Sequence, residues 1–261
     1  MNDSMNNYAA FQLLLYDLTG ASCSKSDFNI VLALIECLSR DGSIPKIKDL
    51  ADQAATSTSS ISRFAKTLGY QDYQSFRYKF SNIKETMVFR RRALYTDDPD
   101  ATKEKILNNL NATWDQMDFD KLNEIIKALL TAKNTMFAGN NDNLICFFDV
   151  YKDLFFKPGA NYFFYDLKTQ EDFLTRLGKD DCLLAACTST DTSMFTKERL
   201  KMLKKKGVTI ILFAQEAPEE ITSLCDIVYM YGREHDLFIG NYSLQYLGYV
   251  LSYLIKKQYP D

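Results

Sequence analysis

Histidine is nearly absent from this chain of 261 residues, which has only His235. One imidazole excludes any metal site that needs two or more His ligands, and any Ser-His or Cys-His nucleophilic pair must use it. Paired cysteines are missing as well. The six, at 23, 37, 146, 182, 187 and 225, contain no C-x-x-C spacing, and several lie inside apolar runs. They read as reduced, buried small hydrophobes of a cytoplasmic protein, which argues against a structural zinc site. No Lys or Arg precedes Lys25, and Asp17 interrupts the first apolar stretch, so the N-terminus lacks the pattern of a secretory signal. Internal repeats and low-complexity tracts are also absent.

Charge of one sign is scarce overall, but the average conceals a split. The net charge of -3 divides into +3 over residues 1–95 and -6 over 96–261, and the stretch 57–92 alone carries +6. A basic segment of that kind fits a nucleic-acid contact at one end of the chain, whereas the whole chain does not coat an anionic polymer. The content of 46% apolar and 25% charged residues is that of a globular protein, and the length suits one large domain or two ordinary ones.

Long apolar runs are limited to one. The 19 residues from Leu237 to Ile255 carry no charge, about the length of a bilayer crossing. Asn241, Ser243, Gln245 and Ser252 would each need a partner in lipid, so a helix buried between protein layers or subunits is the better reading, and no membrane partner is expected.

The two halves differ in rhythm. Phe11, Leu14, Leu15 and Leu18, and again Val31, Leu34, Ile35 and Leu38, recur at helical spacing. Two shorter stripes follow, Ile47, Leu50, Ala51 and Ala54, then Ile61, Phe64, Ala65 and Leu68, with room between them only for a tight turn. That is the outline of a helix-turn-helix. Another helix from Tyr73 to about Ile83 precedes Arg90-Arg91-Arg92 and the run Thr96-Asp97-Asp98-Pro99-Asp100, where Pro and clustered acids suggest a break. A linker is therefore predicted at 86–103, between domains at 1–85 and 104–261. In the second half, apolar runs at Asn134–Ala138, Asn161–Tyr165, Cys182–Ala186, Val208–Phe213 and Ile227–Tyr231 alternate with helical stretches. This pattern predicts a parallel sheet covered on both faces. Ligands of such sheets sit at the carboxyl ends of the strands, which directs attention to 139–143, 187–192 and 214–218.

Within the first half, Ser57 is a suitable N-cap and Gly69 suits a helix C-terminus. Outside the apolar stripe stand Thr58, Ser59, Ser62, Arg63 and Lys66. Small hydroxyl residues let a helix approach a groove floor, Arg can pair with guanine edges or phosphate, and Lys neutralises phosphate. A helical hairpin with an ordinary polar surface would satisfy the same periodicity. The run Leu50-Ala51, Ser57, Ile61-x-Arg63-Phe64-x-Lys66-x-Leu68-Gly69-Tyr70, continued by an aromatic and basic helix through Phe76 and Lys79, resembles the DNA-binding segment of the RpiR family of bacterial transcription regulators.

The resemblance implies a two-domain chain: an all-α helix-turn-helix domain, then an α/β parallel-sheet domain of the sugar isomerase (SIS) type, with a flavodoxin-like arrangement. It also implies double-stranded operator DNA as partner, through Ser57, Thr58, Ser59, Ser62, Arg63 and Lys66, and a homodimer or homotetramer. In the family, loops of the form Gly-x-Gly-x-Ser and Ser-x-Ser-Gly-x-Thr receive a phosphosugar. The corresponding segments here are Gly139-Asn140-Asn141-Asp142-Asn143 and Cys187-Thr188-Ser189-Thr190-Asp191-Thr192. Two glycines have become Asn141 and Thr190, which removes close backbone approach to phosphate, and Asp142 and Asp191 add unfavourable charge. Asn140, Asn141, Thr188, Ser189 and Thr192 still offer polar groups, so three readings stay open: a phosphosugar, another polar effector, or a structural domain with no ligand.

No cofactor, metal or catalytic residue is expected. The competing reading is a sugar-phosphate isomerase or lyase with His235 as base; flanked by Glu234 and Asp236, His235 reads more simply as a cap or surface residue. Cys187 reads as a core or loop thiol, and Lys204-Lys205-Lys206 as a solvated helix end.

Overall fold

The computed structural model describes residues 24–41, 43–68, 70–79, 98–155, 157–164, 167–187, 195–232 and 239–258, and the chain divides into two compact units, Met1–Tyr95 and Thr96–Asp261. The proposed first helix around Phe11–Leu18 lies outside the described residues.

The first unit contains α1 (Lys25–Asp41), α2 (Ile47–Gln53), α3 (Thr58–Thr67) and α4 (Tyr73–Lys79). Ser24 Oγ accepts a hydrogen bond from Asp27 N at 3.1 Å and starts α1. Ile30, Leu34, Leu50, Ile61, Phe64 and Phe76 form the centre of this unit's core. Phe76 meets the edges of Phe64 and Tyr70, with ring centroids 6.2 and 5.3 Å away, an arrangement the ring quadrupole favours. The tail of α4 is tied to the loop before α2: Tyr73 Oη donates to Pro45 O at 2.8 Å and Arg77 Nε to Ile44 O at 2.9 Å.

The turn between α2 and α3 has an identifiable geometry. Thr56 N donates to Ala51 O and Ala55 N to Asp52 O, the pair of bonds of a Schellman motif. The residue in the left-handed position is Ala55, with φ of 48°. Glycine is the usual occupant, and a Cβ there costs about 1–2 kcal/mol.

The second unit begins with α5 (Pro99–Asp115) and α6 (Phe119–Thr131), then alternates: β1 (Asn134–Gly139), α7 (Asn141–Leu144), a 3-10 turn (Ile145–Phe147), α8 (Phe148–Asp153), β2 (Ala160–Phe163), α9 (Leu167–Leu174), β3 (Cys182–Cys187), α10 (Lys197–Lys205), β4 (Thr209–Ala214), α11 (Glu219–Thr222), β5 (Ile227–Met230) and α12 (Ile239–Gln258). The start of α5 corrects the sequence expectation at this point. Asp98 caps the helix, accepting from Asp100 N at 3.0 Å, and Pro99 occupies the first turn. The Asp-Pro pair starts a helix because proline has no N–H to lose there and its φ is already helical. The helix therefore begins inside the stretch 86–103 predicted as linker, and the rest of that stretch up to Asp97 lies outside the described residues.

The five strands are parallel in the order β2-β1-β3-β4-β5. Alternate residues of the central strands enter two different cores. Phe137, Leu184, Ile211 and Phe213 pack with Ile125 of α6, Phe147, Val150 of α8 and Leu247 of α12. Met136, Leu183, Ala185 and Ile210 pack with Leu174 of α9 and Leu200 and Leu203 of α10. Burial on both faces explains why these strands read as continuous apolar runs. The chain leaves β1 toward the α8 and α12 layer and leaves β3 toward the α10 layer, so the order reverses between β1 and β3, where sheets of this order hold ligands.

Helix α12 contains most of the uncharged stretch. Its Leu244, Leu247, Leu251 and Ile255 are buried against the sheet layer, and no helix among the described residues is long and apolar enough to cross a membrane.

Candidate functional site

Helix α3 presents the first candidate surface. Its amphipathicity is complete: Ile61, Phe64 and Ala65 are buried, while Thr58, Ser59, Arg63 and Lys66 are exposed. Ser57 caps it, Oγ accepting from Ser60 N at 3.1 Å, and the same oxygen lies 2.7 Å from Ser59 Oγ and 3.0 Å from Ser60 Oγ. Ser62 is placed differently from its neighbours. It is half-buried and donates its proton to Thr58 O at 3.0 Å, so only its lone pairs remain for a partner. Among the described residues no ion pair involves Arg63 or Lys66.

This surface is held from two sides. At its start, Ser26 Oγ of α1 lies 3.4 Å from Thr56 Oγ1 in the turn. At its end, Tyr70 N donates to Ala65 O at 3.0 Å and closes the last turn, and Asp72 caps α4 through Ser75 N at 2.7 Å. The hydrogen bonds from Ser75 hold the Asp72 carboxyl below its ordinary value, with Lys66 contributing in the same direction. Of the basic residues in 57–92, Arg77 spends its Nε on Ile44 O, while Lys84 and Arg90-Arg91-Arg92 lie outside the described residues.

The head of the sheet is the second candidate. Gly139 ends β1 against β3 so closely that a Cβ there would stand 2.5 Å from Ala186 O, a backbone atom that cannot yield. The expected glycine is thus needed for strand contact. Asn140 follows it and is exposed; the Asn141 side chain and all of Thr188, Ser189 and Thr192 lie outside the described residues, as does His235.

Two amides that the sequence pattern does not single out fill the switch point. Gln170 of α9 is fully buried; its Oε1 accepts from Gly139 N at 3.0 Å, and its Nε2 donates to Gly139 O at 3.2 Å and Phe164 O at 2.7 Å. Asn143 is buried with Nδ2 directed to Ala186 O at 3.4 Å. A third amide, Asn109 of α5, lies beneath the start of α12 and donates to Ser243 Oγ at 2.8 Å. Nothing in a single sequence marks these amides as buried, because their apolar neighbours come from distant segments.

The thiols here are not poised for attack. Burial pushes Cys187 up to about 12, and burial with the nearby Asp142 carboxylate does the same to Cys146. A thiolate is the reactive form, so both are inert at neutral pH. Among the described residues no cluster of three or more His, Cys, Asp or Glu side chains could hold a metal ion.

No family model matches the chain. It is 23% identical over 208 residues to an uncharacterized HTH-type transcriptional regulator from the aarA 3′ region of Providencia stuartii, covering 77% of this chain and 73% of that protein. It is also 23% identical over 201 residues to an uncharacterized HTH-type transcriptional regulator of Clostridium perfringens, covering 74% and 71%. Among solved structures it is similar to the NanR protein of Vibrio vulnificus complexed with ManNAc-6P, with a TM-score of 0.52 at 18% identity over 95% of this chain and 92% of that one. It is also similar to the sugar isomerase domain of an RpiR transcription factor from Sphaerobacter thermophilus, with a TM-score of 0.50 at 16% identity over 63% and 93%. The α/β unit has the fold of a sugar isomerase domain, and the chain is a DNA-binding transcription regulator that carries one.

Proposed function

We propose that the chain is a sequence-specific, cytoplasmic regulator of the RpiR type that binds operator DNA through α3 and responds to a small polar effector at the head of the sheet. The observation that carries the DNA half is the capped helix α3, whose outward face is small hydroxyls with Arg63 and Lys66 and no acid. In this reading Ser57, Thr58 and Ser59 let the helix approach the groove, Ser62 accepts rather than donates, Arg63 reads a base edge and Lys66 neutralises a phosphate. A solvated helix surface commonly mixes Glu with Lys, and this one does not.

For the effector, the reading assigns Asn140, Asn141, Thr188, Ser189 and Thr192 to a ligand at the ends of β1 and β3. The NanR complex with ManNAc-6P supports a phosphosugar as the first compound to try. The exposed Asp142 and the neutral amides around it favour a sugar whose phosphate lies away from the β1 loop. The DNA-binding part extends to about residue 85, and the effector part begins with the Asp98-capped α5. A single helix reads few base pairs, so two or four copies act together on half-sites about 34 Å apart. A ligand changes operator occupancy only if it binds one arrangement of the DNA-binding units better than another.

Genomic footprinting at several salt concentrations, repeated with a phosphosugar panel, tests both halves. Protected sites whose occupancy changes with one compound support the reading. Absence of any preferred fragment defeats the DNA half, and footprints constant across the panel defeat the effector half. Turnover of a phosphosugar that is lost on His235→Ala would favour the isomerase alternative.

A further inference from the structure

Helix α5 inverts the usual burial of an amphipathic helix. Its large apolar side chains are Ile106, Leu107, Leu110 and Trp114; none is buried, and Leu107 and Trp114 are 47% and 55% exposed. The residues it buries are Asn109, Ala112 and Thr113. A polar seam therefore takes the place of an apolar one. Asn109 Nδ2 donates to Ser243 Oγ of α12 at 2.8 Å, Thr113 Oγ1 donates to Asn109 O at 2.8 Å, and Ser243 is fully buried.

The first turn of α12, where this seam ends, is also met by two loops at the head of the sheet. From β4 comes Gln215, the residue after Ala214. Gly240 lacks the Cβ that would overlap the Gln215 carboxamide. At Gly232, where φ is 74°, a Cβ would stand 2.8 Å from Asn109 Oδ1 and 3.0 Å from Gln215 Nε2, so the two amides converge on one point. From β1 comes Asp142, whose carbonyl oxygen lies 3.3 Å from Cys146 Sγ, and that sulfur lies 3.7 Å from Asn241 O. A shift of either loop thus reaches α12 at the turn on which Asn109 rests.

We infer that α5 is the output element of the effector site: a ligand at the head of the sheet acts through Gln215 and the first turn of α12 on Asn109, and so on how firmly α5 is seated. Asn109 is a positioning residue in this relay and touches no ligand. The place of α5 in the chain suits the role, because its Asp98 end continues directly into the segment that leads to the DNA-binding unit. Its seat suits the role as well. Elements with few buried apolar contacts open most readily, whereas the next helix, α6, sinks Leu122, Ile125, Ile126 and Leu129 into the core. Coupling between sites commonly amounts to about 5–150-fold in affinity, a range that one or two hydrogen bonds cover. That a ligand occupies the head of the sheet rests on the effector reading above; the link from Gln215 to α5 does not.

The test is a double-mutant cycle read by hydrogen exchange of the full chain, with Gln215→Ala and Asn109→Ala alone and together. Each single variant should speed exchange of the α5 amides about tenfold and leave those of α10 unchanged, and the double variant should add nothing further. Ser243→Ala removes the same bond from the α12 side and should repeat the result, so a variant that fails to fold does not decide the outcome. An α5 whose exchange ignores Gln215→Ala overturns the inference. So do two effects that multiply, which is what independent structural roles would give. Operator binding by the same variants, with and without the phosphosugar panel, separates the two readings. A coupled cycle with operator occupancy constant across the panel defeats the effector half alone. A compound that changes occupancy equally in the unaltered chain and in Asn109→Ala defeats the relay alone.

Discussion

Helix α3 and the head of the sheet are both polar surfaces on apolar supports, yet they hold their polar groups in opposite ways. On α3, Thr58, Ser59, Arg63 and Lys66 stand in water, and the cap at Ser57 and the fixed turns on either side hold the helix beneath them. At the head of the sheet, Gln170 and Asn143 are buried and committed to the backbone of β1 and β3. On the first surface Arg63 and Lys66 can meet an external partner without breaking an ion pair among the described residues. The second has used these amides to join its strands, so a ligand there depends on the neighbouring loop residues.

This difference separates two kinds of mutational cost. Substitutions at the head of the sheet should cost folding, and those of the exposed Arg63 and Lys66 on α3 should cost binding, whereas its cap at Ser57 belongs with folding. The sharpest attempt to break the contrast is Gly139→Ala, whose Cβ would press on Ala186 O; unfolding in denaturant should show a loss of about 2–3 kcal/mol. Gln170→Leu takes the partner from two buried backbone groups of Gly139 and from the half-buried Phe164 carbonyl and should cost about 2 kcal/mol, measured the same way. If either variant keeps full stability, the switch point is looser than its hydrogen bonds imply.

On the other side, Ser57→Ala removes the cap of α3 and should lower stability by about 1 kcal/mol. Ala55→Gly should move the other way. Relief of a left-handed Ala exceeds the extra freedom glycine gives the unfolded chain, leaving about 0.5 kcal/mol of added stability in a thermal melt. A gain there would show that the turn before α3 carries strain that the helix tolerates.

Much of the α/β unit is legible in the amino-acid pattern alone. Strands buried on both faces must be apolar along their whole length, so the runs at 134–138, 182–186 and 227–231 fall within one or two residues of β1, β3 and β5. The order β2-β1-β3-β4-β5 is not in that pattern, because parallel pairing with right-handed crossovers allows more than one order; the switch point follows once the order is known. Local pattern misleads where one residue type serves opposite ends of a helix, as with Asp98-Pro99, which begins α5 and does not mark a break. It is silent at Gln170 and Asn143, whose burial depends on apolar atoms from other segments. On α3 the pattern itself contains the answer, because the buried positions fix by subtraction which side chains face outward. Only the inward turn of the Ser62 hydroxyl escapes it, since a serine side chain on a helix can point to solvent or to the carbonyl four residues back.

The central claim is that Arg63 and Lys66 face DNA in different roles, and binding of one footprinted operator fragment across a range of salt concentrations tests it most directly. Arg63→Ala should weaken specific binding by about 1–3 kcal/mol at every salt concentration, and Lys66→Ala should lower the salt slope by about 1 with the sequence preference kept. Operator affinity and salt slope unchanged in both variants would contradict the account.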